Sequence, residues 1–204
     1  MNSPLSLLMS IILLSLLTGC EKEPERMDDY LVDFATLLKE GTEYRFRLDN
    51  NRIVIPTGVD DYKGNEGQRV ILNYVPLNGD TIQIRRISDI FTDVIQEDGF
   101  PERYTDDPVK IQSVWVGGDY LNMIMEIEYH SVPHKVSLLR DPSTASVDLW
   151  FSHSRNNDPH GYPQMMYASF SLQSLRPASN GTTIPFRLFI NTHTGIREFH
   201  FELK

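Results

Sequence analysis

The sequence predicts an all-β protein with two domains, a small β-barrel followed by a seven-stranded β-sandwich. From Tyr30 onward, runs rich in Val, Ile, Leu, Phe and Tyr alternate with clusters of Gly, Pro, Asn and Asp about every ten residues, which is typical of short strands joined by turns. No stretch shows the 3.6-residue apolar period of an amphipathic helix. The fold class is therefore all-β.

The first half of the chain contains the signals of a small barrel. The side chains of Tyr44-Arg45-Phe46-Arg47-Leu48 alternate between apolar and basic with the period of a strand. Asp49-Asn50-Asn51 tolerates a left-handed backbone, which predicts a hairpin to the apolar residues that start at Ile53. A long strand segment from Thr81 to Ile95 loses its alternation near Arg86, which indicates a bulge or bend. Five strands with one long bent member suit a small barrel.

The second half contains the signals of a sandwich. Apolar alternation stops over EDGFPERYTDDP, residues 97–108, so the domain boundary is placed there. Seven short strands in about 95 residues favour a β-sandwich, and they are Val109–Val116, Tyr120–His130, Lys135–Arg140, Ser146–Arg155, Met166–Leu175, Thr183–Asn191 and Arg197–Leu203. The predicted organisation is a signal at 1–19, an acidic tether at 20–29, the barrel at 30–98, a linker at 99–108 and the sandwich at 109–204.

The first 20 residues have the pattern of a bacterial lipoprotein signal. The apolar stretch from Leu5 to Leu17 is shorter than the ~20 residues that span a bilayer, and small residues precede Cys20, the only cysteine in the sequence. We expect the mature protein to begin at Cys20, anchored to a membrane by lipid on its sulfur and its amino terminus. The alternative is an ordinary secretory signal with an incidental cysteine.

Charge and cysteine content exclude several classes of function. The formal net charge is −9, and the best basic candidate is the single pair Arg85-Arg86, so nucleic-acid binding is not expected. With Cys20 lipidated, no thiol remains for a disulfide or for redox catalysis, and the core must rest on apolar packing. Residues 21–29, EKEPERMDD, have no apolar period and are expected to form a solvated tether.

Six short segments carry a resemblance to a known family. They are Val32-Asp33-Phe34-Ala35-Thr36, Leu48-Asp49-Asn50, Gly67-Gln68-Arg69-Val70, Asp106-Asp107-Pro108-Val109, Trp115-Val116-Gly117-Gly118-Asp119-Tyr120-Leu121-Asn122, and His153 followed by Asn156 and Asp158. In this order and spacing they resemble the NigD-like lipoproteins of Bacteroidota, over essentially the whole mature chain. The resemblance implies an OB-like N-terminal barrel, a C-terminal β-sandwich and no established enzymatic activity.

The resemblance also implies a place in the cell. It leads us to expect a lipid anchor in the outer membrane, facing either the cell surface or the periplasm. Acidic residues just after Cys20, in Glu21-Lys22-Glu23-Pro24-Glu25, look like a signal for surface export in such bacteria. Asp80-Thr81-Ile82 looks like a site of O-glycosylation, which would modify Thr81.

The histidines are the natural candidates for a metal site or a general base. His130 and His134 flank a predicted hairpin, but one follows a polar face and the other precedes an apolar face, and two imidazoles without a third ligand make a poor zinc site. His153 continues an apolar face and is expected to be a hydrogen-bonded core residue. Ser152 points to the opposite face, which argues against a nucleophilic set with His153 and Asp158. We predict no catalytic residues, no metal and no cofactor.

Aromatic residues offer the most plausible binding surface. Trp150 lies opposite an apolar strand face, and Tyr162 and Tyr167 follow in the next loop and strand, so the three are candidate ligand contacts. For Trp150 the favoured interpretation is that it fills a seam between the two domains or between sheets. The predicted function is non-catalytic binding of a glycan or a partner protein in the envelope. The alternatives are an unrecognised hydrolytic or carbohydrate-active enzyme and an immunity-like structural lipoprotein.

Overall fold

The computed structural model describes residues 30–41, 43–59, 62–176 and 182–204, which form thirteen β-strands and no α-helix. The predicted signal, the tether and Cys20 lie outside these residues. No helix in the described ranges is long and apolar enough to cross a membrane. The strands are β1 (Leu31–Glu40), β2 (Glu43–Leu48), β3 (Ile53–Thr57), β4 (Arg69–Pro76), β5 (Thr81–Asp89), β6 (Phe91–Gln96), β7 (Lys110–Gly117), β8 (Tyr120–Tyr129), β9 (Lys135–Arg140), β10 (Val147–Ser154), β11 (Tyr162–Ser171), β12 (Ile184–Thr192) and β13 (Gly195–Leu203).

Strands β1 to β5 close into a barrel in the order β1-β2-β3-β5-β4. The predicted hairpin joins β2 to β3, and Asn51 takes the left-handed conformation there with φ of 66°. The register between β4 and β5 shifts opposite Arg85, which is the irregularity expected near Arg86. The inward-facing side chains form one apolar core, made of Ala35, Leu37, Phe46, Leu48, Val54, Val70, Leu72, Tyr74 and Ile82.

The other eight strands form one continuous sheet that folds into two layers, in the order β13-β12-β10-β9-β6-β11-β8-β7. The all-β prediction of a barrel followed by a sandwich is confirmed, with eight strands in the second unit where the sequence indicated seven. The layers enclose a second apolar core, which includes Leu121, Met123, Met125, Leu149, Phe151, Ala168, Phe170, Leu188 and Ile190.

Strand β6 is the eighth strand of the sandwich, whereas the sequence placed residues 91–96 in the barrel domain. Phe91–Val94 pair with β11 in one layer, and the next two residues pair with β9 in the other, so β6 passes from layer to layer. The predicted long strand from Thr81 to Ile95 is therefore two strands in different sheets. Alternation marks a segment as a strand, but only its pairing partners decide which sheet it joins.

The predicted linker at 99–108 is also part of the sandwich. Its backbone bridges to His153 of β10 and, at Val109, to Thr192 of β12. The N–H of Thr105 donates to Ser152 Oγ (2.9 Å), and the N–H of Asp107 donates to the carbonyl oxygen of His153 (3.1 Å). The segment thus lies between β10 and β12 where the two strands separate. Its Pro and Asp residues hide this pairing from sequence analysis, because they interrupt apolar alternation.

The barrel packs on the outer face of the β7-β8-β11 layer through a buried arginine. Arg69 of β4 has a side chain only 1% exposed, and its Nη2 lies 2.9 Å from Asp49 Oδ1 and donates to Asn122 Oδ1 of β8 at 2.8 Å. Its Nη1 donates to Thr36 Oγ1 (3.2 Å), and the ring of Tyr120 lies 4.3 Å from its guanidinium carbon. Burial lowers the pKa of Arg69, and the Asp49 carboxylate opposes that shift.

The Asp49 carboxylate is the acceptor that joins the two units. Asn122 Nδ2 donates to its Oδ2 at 2.7 Å, and Trp115 Nε1 of β7 approaches the same oxygen at 3.3 Å. A Cβ atom at Gly117 would lie 2.4 Å from that oxygen, so the glycine leaves the space that the carboxylate occupies. We call Arg69, Asp49 and Asn122 the junction triad.

Replacing Arg69 by Met should lower the free energy of unfolding by about 3 kcal/mol, because it leaves the Asp49 carboxylate at the interface without its cation. Urea unfolding followed by circular dichroism measures this change. The control is Arg52→Ala, which removes an exposed ion pair with Asp80 (2.8 Å) and should cost less than about 1 kcal/mol. Equal losses of unfolding free energy in both variants would show that the junction triad does not stabilise the contact between the barrel and the sandwich.

Candidate functional site

The candidate functional site is a cleft of about 270 Å³ between the barrel and the sandwich. Ligand sites occur preferentially at such domain boundaries, where rigid elements from two units face each other. The barrel supplies the β1 and β4 wall, and the sandwich supplies the β7, β8 and β11 wall. The lining residues are Val32, Asp33, Phe34, Asp49, Ile71, Trp115, Ile124 and Tyr167.

Three aromatic rings meet in this cleft. The ring of Phe34 lies edge-on to Trp115, with centroids 4.9 Å apart, and 6.4 Å from the ring of Tyr167. Phe34 is buried and Trp115 is half-buried, whereas Tyr167 is exposed. Tyr167 is therefore the most exposed of the three rings, with 36% of its surface accessible to solvent, and Phe34 packs beside it.

Two carboxylates border the aromatic wall. Asp49 is held by the junction triad, so its charge is matched by Arg69. Asp33 Oδ2 accepts the hydroxyl of Tyr74 (2.8 Å). Burial, followed by this bond to Asp33, raises the pKa of Tyr74 to about 12, so the phenol stays protonated and donates. Polar groups at the cleft are thus held in place by the barrel itself.

Trp150, a predicted ligand contact, is packed inside an aromatic stack. Its ring is stacked on Phe189 at 4.6 Å and on Phe100 at 5.1 Å, and the edge of Tyr104 completes the cluster at 5.5 Å. Trp150 is therefore half-buried and in contact with three other aromatic rings. Trp150 lies on β10, in the layer that does not face the barrel, and it does not join Tyr167 in the cleft.

The Trp150→Ala variant should lose about 3 kcal/mol of unfolding free energy, because the stack that joins the 99–108 segment to β12 would contain a cavity. Chemical denaturation gives the value, and near-ultraviolet circular dichroism reports loss of the aromatic packing. The comparison variant is Tyr162→Ala, whose side chain is 83% exposed and should cost almost nothing. A fully stable Trp150→Ala protein would contradict a structural role for the stack.

Tyr162 and Thr81 lie outside the cleft. Tyr162 begins β11 beside the loop that precedes it, opposite Tyr129 of β8, and it is almost fully exposed. Thr81 begins β5 and is half-buried, while its neighbour Asp80 pairs with Arg52. Of the three predicted aromatic contacts, only Tyr167 lines the cleft.

A buried polar network lies at the far end of the sandwich and is centred on Asp158. This carboxylate accepts the backbone N–H groups of His130 (2.7 Å), Ser131 (2.9 Å) and Val132 (2.8 Å), which form the turn between β8 and β9. Burial opposes ionisation, but these three hydrogen bonds outweigh it and hold the pKa of Asp158 well below its usual range. Asp158 therefore closes the turn as a carboxylate.

Two imidazoles extend this network. His153 Nδ1 lies 2.9 Å from the carbonyl oxygen of Asp107, which can only accept, so Nδ1 carries the proton. Burial lowers the pKa of His153, so the ring is neutral and its Nε2 accepts from Nδ1 of His134 at 2.9 Å. Nε2 of His134 in turn lies 3.4 Å from Asp158 Oδ2. Sequence analysis missed the pairing of His134 with His153, which comes from the β9–β10 register.

This network is inaccessible to a substrate. The side chains of His134 and Asp158 are 2% and 0% exposed, and His153 is buried. The hydroxyl of Ser152 bonds to Thr105 and not to His153. Within the described ranges no three His, Cys, Asp or Glu residues could hold a metal ion together. The network holds three loops together: the β8–β9 turn, the segment that contains Asp107 and the loop that contains Asp158.

Lowering the pH should destabilise the protein in two stages. His153 is neutral in the fold and gains a proton on unfolding, so stability falls as the pH drops below about 6.5. Asp158 is ionised in the fold, so protonation of its unfolded form lowers stability further as the pH falls below about 4. Urea unfolding at a series of pH values measures both stages. His153→Gln should remove the first stage, and a first stage unchanged in that variant would assign it to another group.

A larger groove of about 750 Å³ lies where β10 and β12 begin and β13 ends. Its floor is apolar and includes Val147, Phe186 and Phe201. The cation beside it, Arg187, is already bonded to Asp148, with Nη2 2.5 Å from Oδ2, and that bond lowers the pKa of Asp148 against the effect of burial. The groove therefore offers apolar surface but no unmatched charge on Arg187.

Comparison with known proteins identifies the family. The model of the NigD-like C-terminal beta sandwich domain matches residues 92–203. The chain belongs to the NigD-like family. The match begins within β6, which agrees with the pairing that places β6 in the sandwich. No curated protein matches this NigD-like chain.

Solved structures resemble the chain over both units. A candidate toxin-related protein from Parabacteroides distasonis is 26% identical with a TM-score of 0.77, covering 86% of this chain and 94% of its own. A NigD-like immunity protein from Bacteroides caccae is 22% identical with a TM-score of 0.68, covering 85% and 96%. A candidate lipoprotein from Bacteroides fragilis is 11% identical with a TM-score of 0.60, covering 86% and 98%. The arrangement of barrel and sandwich is therefore shared.

Proposed function

We propose that this NigD-like protein is a non-catalytic binding protein, anchored by lipid on Cys20 to the outer membrane, that takes a sugar ring of a glycan in the cleft between its two units. The observation that carries this proposal is the exposure of Tyr167, which packs beside Phe34 in a cleft of about 270 Å³. An aromatic face attracts the C–H groups of a sugar because its π-system is negative and those hydrogens are positive.

The position of the cleft also favours binding without chemistry. Its carboxylates are used in structural bonds, Asp49 to Arg69 and Asp33 to Tyr74, so neither is positioned as a general acid opposite the other. Ser152 and His153 belong to different hydrogen-bond sets inside the sandwich. A rigid aromatic wall flanked by oriented polar groups is the arrangement expected of a recognition site.

The lipid anchor rests on the sequence at residues 1–20 and on the resemblance. The Bacteroides fragilis structure, named as a candidate lipoprotein, shares the fold and supports the same assignment here. The acidic residues after Cys20 favour export to the cell surface, with the periplasmic face of the outer membrane as the alternative.

A partner protein is the second candidate ligand. It is favoured by the names of two structural neighbours, an immunity protein and a candidate toxin-related protein. If the ligand is a partner protein, a side chain of that protein would occupy the same cleft. The two candidates differ in whether an isolated glycan binds.

The test is a screen of the purified protein against host and plant glycans by thermal shift, followed by titration calorimetry on any glycan that stabilises it. Tyr167→Ala should weaken binding roughly tenfold, because the sugar would lose the aromatic ring that its C–H groups contact. Tyr162→Ala is the matched control, since it removes an exposed tyrosine from the same strand outside the cleft, and it should leave affinity unchanged.

Two results would contradict the glycan proposal in different ways. Loss of binding in Tyr162→Ala but not in Tyr167→Ala would place the glycan at the start of β11. Absence of any glycan shift would favour a protein ligand, and crosslinking on whole cells with wild-type and Tyr167→Ala proteins would then test whether the cleft contacts a partner.

A further inference from the structure

We propose that one end of the barrel docks on the lipid surface, through a patch formed by Tyr30, Leu31, Ile55 and Leu77, which we call the membrane patch. The proposal rests on the lipid anchor at Cys20 described under the proposed function. It adds an orientation: the barrel lies against the bilayer and the sandwich is held away from it.

The backbone brings the four residues of the membrane patch to one end of the barrel. Leu31 pairs with Tyr74 of β4, three residues before Leu77, and Tyr30 comes directly before the first residue of β1. The N–H of Leu77 donates to the carbonyl oxygen of Thr81 (2.9 Å), and Thr81 pairs with Ile55 of β3. The patch therefore surrounds the turn that joins β4 to β5.

Exposure distinguishes this end of the barrel. Tyr30, Leu31, Ile55 and Leu77 are each about half exposed, at 56%, 49%, 47% and 47%. Single exposed apolar residues are common, but several together on one small surface mark an interaction site. Since the barrel is closed, no further strand of the sheet can cover them.

Charge at the membrane patch does not oppose a lipid surface. The nearest charged pair is Arg52 with Asp80, joined at 2.8 Å, and Arg52 Nη2 also donates to the carbonyl oxygen of Gly79 (2.7 Å). The two charges match each other, and the guanidinium satisfies a turn carbonyl. A further carboxylate at this end of the barrel, Asp33, accepts the hydroxyl of Tyr74 (2.8 Å).

The chain that leads to the membrane patch identifies the bilayer as its occupant. Nine residues separate Cys20 from Tyr30 in the sequence, and even a fully extended chain from one to the other reaches only about 35 Å. The lipid on Cys20 therefore holds Tyr30 near the bilayer at a high effective concentration, so weak insertion is sufficient. Tyrosine prefers the interface between lipid and water, and leucine and isoleucine prefer the lipid side.

The experiment measures which surface of the anchored protein contacts lipid. The full chain, processed and purified with its lipid, is reconstituted in phosphatidylcholine vesicles that contain brominated acyl chains. A fluorophore is attached to Leu77→Cys, and in a separate protein to Ile196→Cys, an exposed apolar position on β13 of the sandwich. Acylated Cys20 cannot react with the label. Bromine should quench the fluorophore at 77 several-fold more than the one at 196.

Two further measurements show whether a negative result contradicts the lipid anchor or only the docking of the barrel. Intact mass shows whether Cys20 carries acyl chains, and an unacylated protein overturns both the anchor and the docking. Equal quenching at positions 77 and 196 on acylated protein overturns the docking alone. Adding Leu31→Ser and Ile55→Ser should reduce quenching at 77 toward the value at 196, while thermal unfolding verifies that the fold is intact. Quenching unchanged by those substitutions would also overturn the patch.

Discussion

The buried charge of Arg69 is the constraint on which the arrangement of the two units depends. A guanidinium removed from water requires an anion and further acceptors, and here they come from different parts of the chain: Asp49 from the barrel and Asn122 from the sandwich. A purely apolar contact would allow the barrel to shift against the sandwich. The hydrogen bonds and the ion pair of Arg69 form in one relative position of the two units only. The cleft exists because that position leaves Phe34 and Tyr167 facing each other at its rim.

The segments that carry the family resemblance gather at two places in the fold. Thr36, Asp49, Arg69, Trp115 and Asn122 come from four of those segments and form the contacts of the barrel with the sandwich. The remaining two segments meet where His153 bonds to Asp107 and Asp158 caps the β8–β9 turn, so they hold the loops at the far end of the sandwich. In both places buried polar groups meet across long sequence separations.

Because both of these polar networks hold parts of the fold together, they are poor candidates for catalysis. The imidazoles, carboxylates and guanidinium of these two networks are buried and use their hydrogen bonds on the backbone or on each other. The cleft and the groove, in contrast, are lined mainly by aromatic and aliphatic residues. The proposed role as a binding protein therefore rests on the cleft and not on the buried polar networks.

The sequence by itself determined the fold class and the strands, because alternation and turn residues are local properties. The hairpin at Asn51 and the irregularity near Arg86 followed from residues a few positions apart. Only the tertiary structure decided which sheet β6 joins, that residues 99–108 lie within the sandwich, and that Tyr167 but not Trp150 lines the cleft. These depend on pairing and packing between residues distant in the chain, such as Trp150 with Phe100 and Phe189, and strand periodicity says nothing about which surfaces such residues cover.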